Sequence, residues 1–451
     1  MKIKSINPYT GKKTGSHKLH NQKEITRILN RSKKAYDKWK NEPLAERAKL
    51  MARAGETLRK NLETYSQTIT EEMGKPITES KAEIEKCAWV CDYYADNAAD
   101  FLADEPISTD AKNSFVRHHP IGTVFAVMPW NFPFWQVFRF AAPTLTAGNT
   151  GILKHASNVG GCAKQIESVF EEAGFPKGVF QNLIIGHEHT EIVISHPAIK
   201  AVTLTGSEGA GKAVAKLAGK HLKKSLLELG GSNAFMVLDD ADLESTIKTA
   251  VNARMMNTGQ SCIAAKRFIV TEKIYDAFLE KFIRAVRELK SGDPMEANTQ
   301  IGVLAREDLA EELNKQIDTS VKKGAKIALG GHRRKAYHEP TVLTGVKPGM
   351  PAFDEETFGP VAAVIKAKDA DEAYALSQKS NFALGVTVCT SDVNAALDRS
   401  REIEDGAYFI NELVKSDPRL PFGGQRNSGY GRELGKDGIM EFVNRQTVYV
   451  K

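Results

Sequence analysis

The sequence predicts an α/β protein with two doubly wound parallel-sheet domains and a small β extension, and three observations support this. Short apolar runs alternate with helix-period segments from residue 122 onward. A second alternating series spans 234–412, and 451 residues exceed what one ordinary core holds. Strand, helix, strand at such spacing implies right-handed crossovers and a parallel sheet covered on both faces, with ligands at the carboxyl ends of the strands.

The elements follow in order. Residues 22–103 read as a helical lead-in, because Ile25, Ile28, Leu29, Ala35, Tyr36 and Trp39 keep helical spacing and a polar-apolar run continues beyond Pro76. Strands are then expected at 122–128, 150–154, 179–185, 200–204 and 225–229, with helices from about 134, 160, 188 and 209. In the second series, helices fall near 242–256 and 273–290. The terminal run 442–450 reads as a strand, and a lone exposed strand needs a partner such as another subunit.

Composition narrows the function classes. Lys+Arg exceed Asp+Glu by six, 62 against 56, and are spread along the chain, which argues against nucleic acid as a partner. No apolar run approaches the ~18 residues of a membrane span, and the amino terminus lacks a signal-peptide core. A cytoplasmic protein with no membrane partner is expected. Five cysteines, Cys87, Cys91, Cys162, Cys262 and Cys389, suit reduced thiols. Cys87 and Cys91 have no nearby His or Cys pair to complete a zinc site, so no metal is expected.

Two motifs suggest chemistry. Cys262 lies in Asn257-Thr258-Gly259-Gln260-Ser261-Cys262-Ile263, and Glu228 lies in Leu227-Glu228-Leu229-Gly230-Gly231. A thiol and a carboxylate in separate glycine-bearing loops suggest covalent catalysis with a separate base, although the thiol taken alone reads first as a structural cysteine. The stretch Gly206-Ser207-Glu208-Gly209-Ala210-Gly211-Lys212-Ala213 nearly spells a Walker A loop, but Ala213 stands where Ser or Thr must meet magnesium. What survives is a strand delivering a helix amino terminus able to bind pyrophosphate.

Six motifs in order complete the pattern: Pro129-Trp130-Asn131-Phe132-Pro133, Leu204-Thr205-Gly206-Ser207, Leu227-Glu228-Leu229-Gly230-Gly231, Gly259-Gln260-Ser261-Cys262, Glu356-Thr357-Phe358-Gly359-Pro360 and Pro421-Phe422-Gly423-Gly424. With them, nearly the whole chain resembles the aldehyde dehydrogenase superfamily. The resemblance implies a cofactor-binding domain at 1–107 and 121–230, a catalytic domain at 231–424, and oligomerisation strands at 108–120 and 436–451. It implies Cys262 as nucleophile, Glu228 as general base and Asn131 as oxyanion donor. Trp130, Lys154, Ser157, Gly206, Ser207, Glu356 and Phe358 would bind the cofactor, and a homodimer or homotetramer is expected.

Two departures refine the expectation. In Lys154-His155-Ala156-Ser157, His155 replaces a more usual proline, and Ser157 stands where relatives preferring NAD commonly carry a glutamate. Serine removes repulsion of a 2′-phosphate, so NADP is expected, with NAD also possible. Within the superfamily the chain resembles succinate-semialdehyde dehydrogenases, in which an arginine at the place of Arg139 binds the substrate's far carboxylate; Ser416 would be a further contact. Arg139 has a second reading, a structural ion pair with a neighbouring carboxylate. A second arginine common before the cysteine loop is replaced by Met256, with Arg254 nearby, and Ala264 replaces the second cysteine of a redox switch. The expected substrate is a small carboxylated semialdehyde, against a broad-specificity aldehyde dehydrogenase or a non-catalytic scaffold.

Overall fold

The computed structural model describes residues 2–451. Four helices lead in, Gln22–Trp39, Leu44–Lys60, Leu62–Met73 and Ile77–Phe101. The first begins at a reciprocal cap: Asn21 Oδ1 accepts from the Glu24 N–H at 3.0 Å, and the Glu24 carboxylate accepts from the Asn21 N–H at 2.7 Å. Gly74, at φ +79, ends the third in the left-handed conformation that glycine adopts without strain. The fourth buries Ile84, Cys87, Cys91 and Tyr94 in the core of the first domain.

The first sheet orders Gly429–Tyr430, Lys224–Glu228, Ile199–Thr205, Thr123–Met128, Thr150–His155 and Phe180–Asn182, all parallel except the first pair. Its central strands are apolar at successive positions, as in Val124-Phe125-Ala126, because helices cover both faces. The chain winds outward from Thr123–Met128 to Phe180–Asn182, then returns to lay Ile199–Thr205 on the other flank. The strand order therefore reverses between Thr123–Met128 and Ile199–Thr205, which opens a crevice beyond their carboxyl ends. Pro129-Trp130-Asn131 and Gly206-Ser207 emerge there.

The second sheet orders Lys326–Leu329, Thr341–Thr344, Val361–Ala367, Ala265–Thr271, Asn233–Val237, Val386–Cys389 and Tyr408–Ile410, with only the first antiparallel. Helices Leu243–Met255 and Glu272–Arg287 stand where the periodicity put them. The fold class expected from the sequence is observed.

Strand Val443–Val450 pairs within its own chain, antiparallel to Asn113–Pro120 from Val443↔Pro120 to Val450↔Asn113. Its second edge carries no partner strand among the described residues. The segment 436–442, grouped with this strand in the sequence reading, instead contributes the short helix Gly435–Met440. The hairpin Lys2–Ile6 and Lys13–Lys18 was not anticipated, because its polar strands carry little alternation. No helix among the described residues is long and apolar enough to cross a membrane.

Candidate active site

A cavity of about 390 Å³ opens at the crevice between the sheets, and its lining includes Trp130, Asn131, Gly206, Ser207, Cys262, Glu356 and Phe358. Loops from four places in the sequence thus converge on one space.

The loop bearing Asn131 is held from three sides. Glu83 Oε1 accepts from the N–H groups of Phe134 and Trp135 at 2.8 and 3.0 Å, satisfying free donors at the start of helix Trp135–Thr146. The Lys75 ammonium, paired with Glu83, lies 3.9 Å from the centre of the Phe132 ring. His155 Nε2 donates to the Pro133 carbonyl at 2.9 Å while its Nδ1 accepts from the Ala156 N–H at 2.9 Å. Burial drives the His155 pKa down to about 4, so the neutral ring is a permanent brace.

The cysteine loop is strained and tied down. Asn257, Thr258 and Gly259 are successively left-handed, at φ 57, 54 and 73. A Cβ at Gly259 would stand 2.3 Å from the Gly359 carbonyl oxygen, so only glycine fits. Asn131 Nδ2 donates to the Gln260 carbonyl at 3.1 Å, and Asn257 Nδ2 to the Asn131 carbonyl at 2.8 Å, which locks the two loops together. Arg254, fully buried, donates to the carbonyls of Gly259 and Ala265, so it supports the cysteine loop from behind.

Lys266 is the strongest addition to the residues read from sequence. Its buried ammonium donates to the Ser261 and Cys262 carbonyls at 2.7 and 2.6 Å and lies 3.5 Å from Glu356. Burial lowers its pKa to about 8. The only signal was a lysine near the start of the apolar strand Ala265–Thr271, which reads as a strand end until its partners are seen.

Cys262 is partly exposed, while the other four cysteines are buried. Desolvation, opposed by Arg139 and Lys266, pushes its thiol up to about 11. Thiolate must then grow with pH. Alkylation of Cys262 by iodoacetamide, without cofactor, is expected to accelerate about tenfold per pH unit from pH 7 to 10; a plateau below pH 8 would contradict the raised thiol.

Glu228 ends its strand, with Gly206 donating to its carbonyl at 2.9 Å, and its carboxylate is buried with Oε1 unpartnered. A Cβ at Gly423 would stand 2.7 Å from that oxygen, so the Gly423-Gly424 turn leaves the room this carboxylate fills. Burial raises the Glu228 pKa well above the usual carboxylate range, with Arg139 opposing and Glu433 reinforcing the shift. The carboxyl group is within electrostatic reach of Cys262 but does not line the cavity.

Arg139 is buried and does not line the cavity either. It ion-pairs with Glu433, lies 4.6 Å from the centre of the Phe422 ring, and its Nη2 is 3.4 Å from Thr205 Oγ1. A protein carboxylate thus engages the guanidinium, which corresponds to the second reading of this position. Ser416 is buried and accepts from Lys86 Nζ at 2.9 Å and from Trp135 Nε1 at 3.1 Å.

The cavity's residues fit a dinucleotide. Ser207 caps the 13-residue helix Glu208–Lys220, its Oγ accepting from the Ala210 N–H at 3.3 Å, and the helix amino terminus opens onto the space. Trp130 and Phe358 meet edge-on at 5.7 Å, and Glu356 Oε1 accepts from the Gly231 N–H at 3.1 Å, which leaves Oε2 for a hydroxyl donor. Lys154 and Ser157 are not in this cavity. They line a neighbouring one with Ile184, Ile185 and His187, where Ser157 is exposed and burial lowers the Lys154 pKa.

Comparison with known proteins agrees with this architecture. A family model described as the aldehyde dehydrogenase family matches residues 1–448. A protein of Synechocystis sp. named probable succinate-semialdehyde dehydrogenase, NADP(+), is 46% identical over 453 residues, covering 100% of both chains. An Escherichia coli succinate semialdehyde dehydrogenase, NAD(P)+, is 44% identical, covering 99% of this chain and 97% of that one. The crystal structure of a Streptococcus pyogenes succinic semialdehyde dehydrogenase with NADP+ superposes with a TM-score of 0.97 at 36% identity, covering 99% of each.

Proposed function

The chain belongs to the aldehyde dehydrogenase family, and we propose that it oxidises succinate semialdehyde, or a similar carboxylated semialdehyde, to the acid with NADP and, less selectively, NAD. The observation that carries the chemistry is the partly exposed Cys262 sharing one cavity wall with Asn131, Ser207 and Glu356. The substrate class is supported by full-length relatives that bear succinate-semialdehyde names.

Cys262 Sγ attacks the aldehyde carbon, and its proton leaves for a nearby base or water. The oxygen of the resulting thiohemiacetal accepts hydrogen bonds from the Asn131 amide and the Cys262 backbone N–H. A nicotinamide dinucleotide, when bound, would supply the hydride acceptor; Trp130, Glu356 and Phe358 would hold its nicotinamide end, Gly206 and Ser207 its pyrophosphate, and Lys154 and Ser157 its adenosine ribose. After hydride loss the acyl group is a Cys262 thioester. Glu228 takes a proton from water, the water oxygen adds to the thioester carbon, and the C–S bond breaks to release the acid while the proton on Glu228 passes to the departing sulfur, restoring the thiol and the carboxylate. Arg139, held by Glu433, contributes positive potential at Cys262, and its reach to the substrate carboxylate is the part of the reading that Arg139→Ala tests. The open edge of Val443–Val450 is the surface assigned to a homodimer or homotetramer.

Steady-state rates for a panel of aldehydes crossed with NAD and NADP test the proposal. A kcat/KM for succinate semialdehyde no better than for butanal would leave a broad-specificity enzyme. Asn131→Ala is expected to lower kcat by 10²- to 10³-fold, about 3 kcal/mol, with little change in KM. Ser157→Glu is expected to lower kcat/KM for NADP at least tenfold while sparing NAD, because a carboxylate there repels a 2′-phosphate. A wild-type kcat/KM for NADP more than tenfold below that for NAD would remove the NADP assignment.

A further inference from the structure

Lys266 puts its charge on the backbone of the nucleophile. The side chain is fully buried, and its ammonium donates to the Ser261 carbonyl at 2.7 Å and to the Cys262 carbonyl at 2.6 Å. The one carboxylate within ion-pair distance among the described residues, Glu356, lies 3.5 Å away through Oε1, which also accepts from the Gly231 N–H at 3.1 Å. The cation therefore rests chiefly on two peptide oxygens. The turn after Glu228 packs against the same place, since a Cβ at Gly231 would stand 2.7 Å from the Cys262 carbonyl oxygen.

A peptide carbonyl and the N–H that follows it form one conjugated unit, so the Ser261 carbonyl shares its amide with the Cys262 N–H. A cation on that oxygen draws electron density from the nitrogen and makes the N–H a stronger donor. The Ala264 N–H, donating to the same oxygen at 3.2 Å, acts in the same sense. The Cys262 N–H has no acceptor among the described residues, and Cys262 lines the cavity. A neutral donor would tie down the loop at a smaller desolvation cost; an ammonium adds charge to the hydrogen bond.

We propose that Lys266, acting through the Ser261–Cys262 peptide, strengthens the backbone N–H that receives the aldehyde oxygen, which makes it a positioning residue for the addition step. The assignment rests on the oxyanion site given above to Asn131 and the Cys262 N–H. As the S–C bond forms, the carbonyl π pair moves to oxygen, and the negative charge meets an N–H whose amide already carries a cation at its far end. Burial, with Arg254 beside it, lowers the Lys266 pKa to about 8, while Glu356 and the Cys262 thiol favour the charged form. The ammonium is thus present below that pH and lost above it. Lys266 also opposes the desolvation that raises the Cys262 thiol, so lowered turnover alone does not distinguish the two effects.

Two reactions of one sulfur do. Alkylation by iodoacetamide forms an S–C bond and expels iodide without an oxyanion, so it reports the thiolate; aldehyde oxidation needs thiolate and oxyanion site together. The measurement is kcat/KM for butanal, which carries no charge, divided by the alkylation rate constant, both on the full-length enzyme at saturating NADP. In the wild type this ratio is expected to fall severalfold as pH rises through about 8. In Lys266→Met it is expected to be about tenfold lower at neutral pH and flat, a smaller loss than the roughly 10²- to 10³-fold of a missing donor because the N–H remains. A flat wild-type ratio, or a Lys266→Met enzyme in which oxidation and alkylation fall in equal proportion, overturns the assignment and leaves Lys266 an anchor of the loop. The wild-type profile decides the matter even where the buried substitution unfolds the chain. Should Asn131→Ala leave the ratio unchanged, the oxyanion site itself fails, and the role of Lys266 falls with it.

Discussion

Cys262→Ser is expected to abolish aldehyde oxidation, lowering kcat on the order of 10⁴-fold or more, while NADPH still binds with its affinity changed less than about threefold. The loss follows from the state of the thiol. Burial holds Cys262 up to about 11 even with Arg139 and Lys266 nearby, so the site already works against ionisation, and a hydroxyl is a much weaker acid than a thiol. The retained binding follows from architecture. Trp130, Ser207, Glu356 and Phe358 share the cavity with Cys262, but they are held by the sheets, by the Glu208–Lys220 cap and by Lys266, whose hydrogen bonds go to the carbonyls of residues 261 and 262 rather than to the sulfur. NADPH fluorescence titration and single-turnover absorbance separate the two effects. Residual turnover above about one part in a hundred would mean that another group carries the addition.

The contrast between Lys266 and Cys262 shows where sequence reading stops. Cys262, Asn131, Glu356 and Phe358 sit on short loops at strand ends, so local pattern and motif order locate them and the alternation of strands and helices brings them to one crevice. Lys266 and Lys86 carry no such pattern, since a lysine reads as solvated surface until the depth of its aliphatic stem is known. Glu433 is harder still. It sits in an irregular stretch far from Arg139 in the chain, and only the return of the segment after Gly423 brings the two together. The same long-range pairing reshapes the expectation for Arg139: periodicity placed it correctly on a buried helix, but which carboxylate it meets is a tertiary fact.

Glu228→Ala is expected to separate the two halves of the cycle. The first equivalent of NADPH should appear in a burst close in size to the enzyme concentration, followed by steady turnover lowered 10²- to 10⁴-fold, because the water that attacks the thioester loses its base. Glu228 suits that role and not permanent ionisation. Its carboxyl group is buried, Oε1 has no partner, and Glu433 adds to the desolvation that lifts its pKa well above the usual carboxylate range, with Arg139 pulling the other way. The protonated form dominates at low pH and the carboxylate grows as pH rises, so a deacylation-limited kcat in the wild type should climb with pH and then level. Glu228→Gln keeps the shape of the side chain and removes that titration, so its residual kcat should be flat over the same range. If Glu228 acts mainly on the thiol, the burst is lost along with the turnover and the acyl-enzyme does not accumulate, an outcome readable by intact-mass measurement of the quenched protein. Ionising Cys262 would require a proton to leave a thiol that burial holds up to about 11, and the Glu228 carboxyl that would take it is itself raised by burial. The proton leaves more readily once the aldehyde carbon draws electron density from sulfur, which confines any Glu228 contribution there to the addition step and leaves its largest effect on hydrolysis.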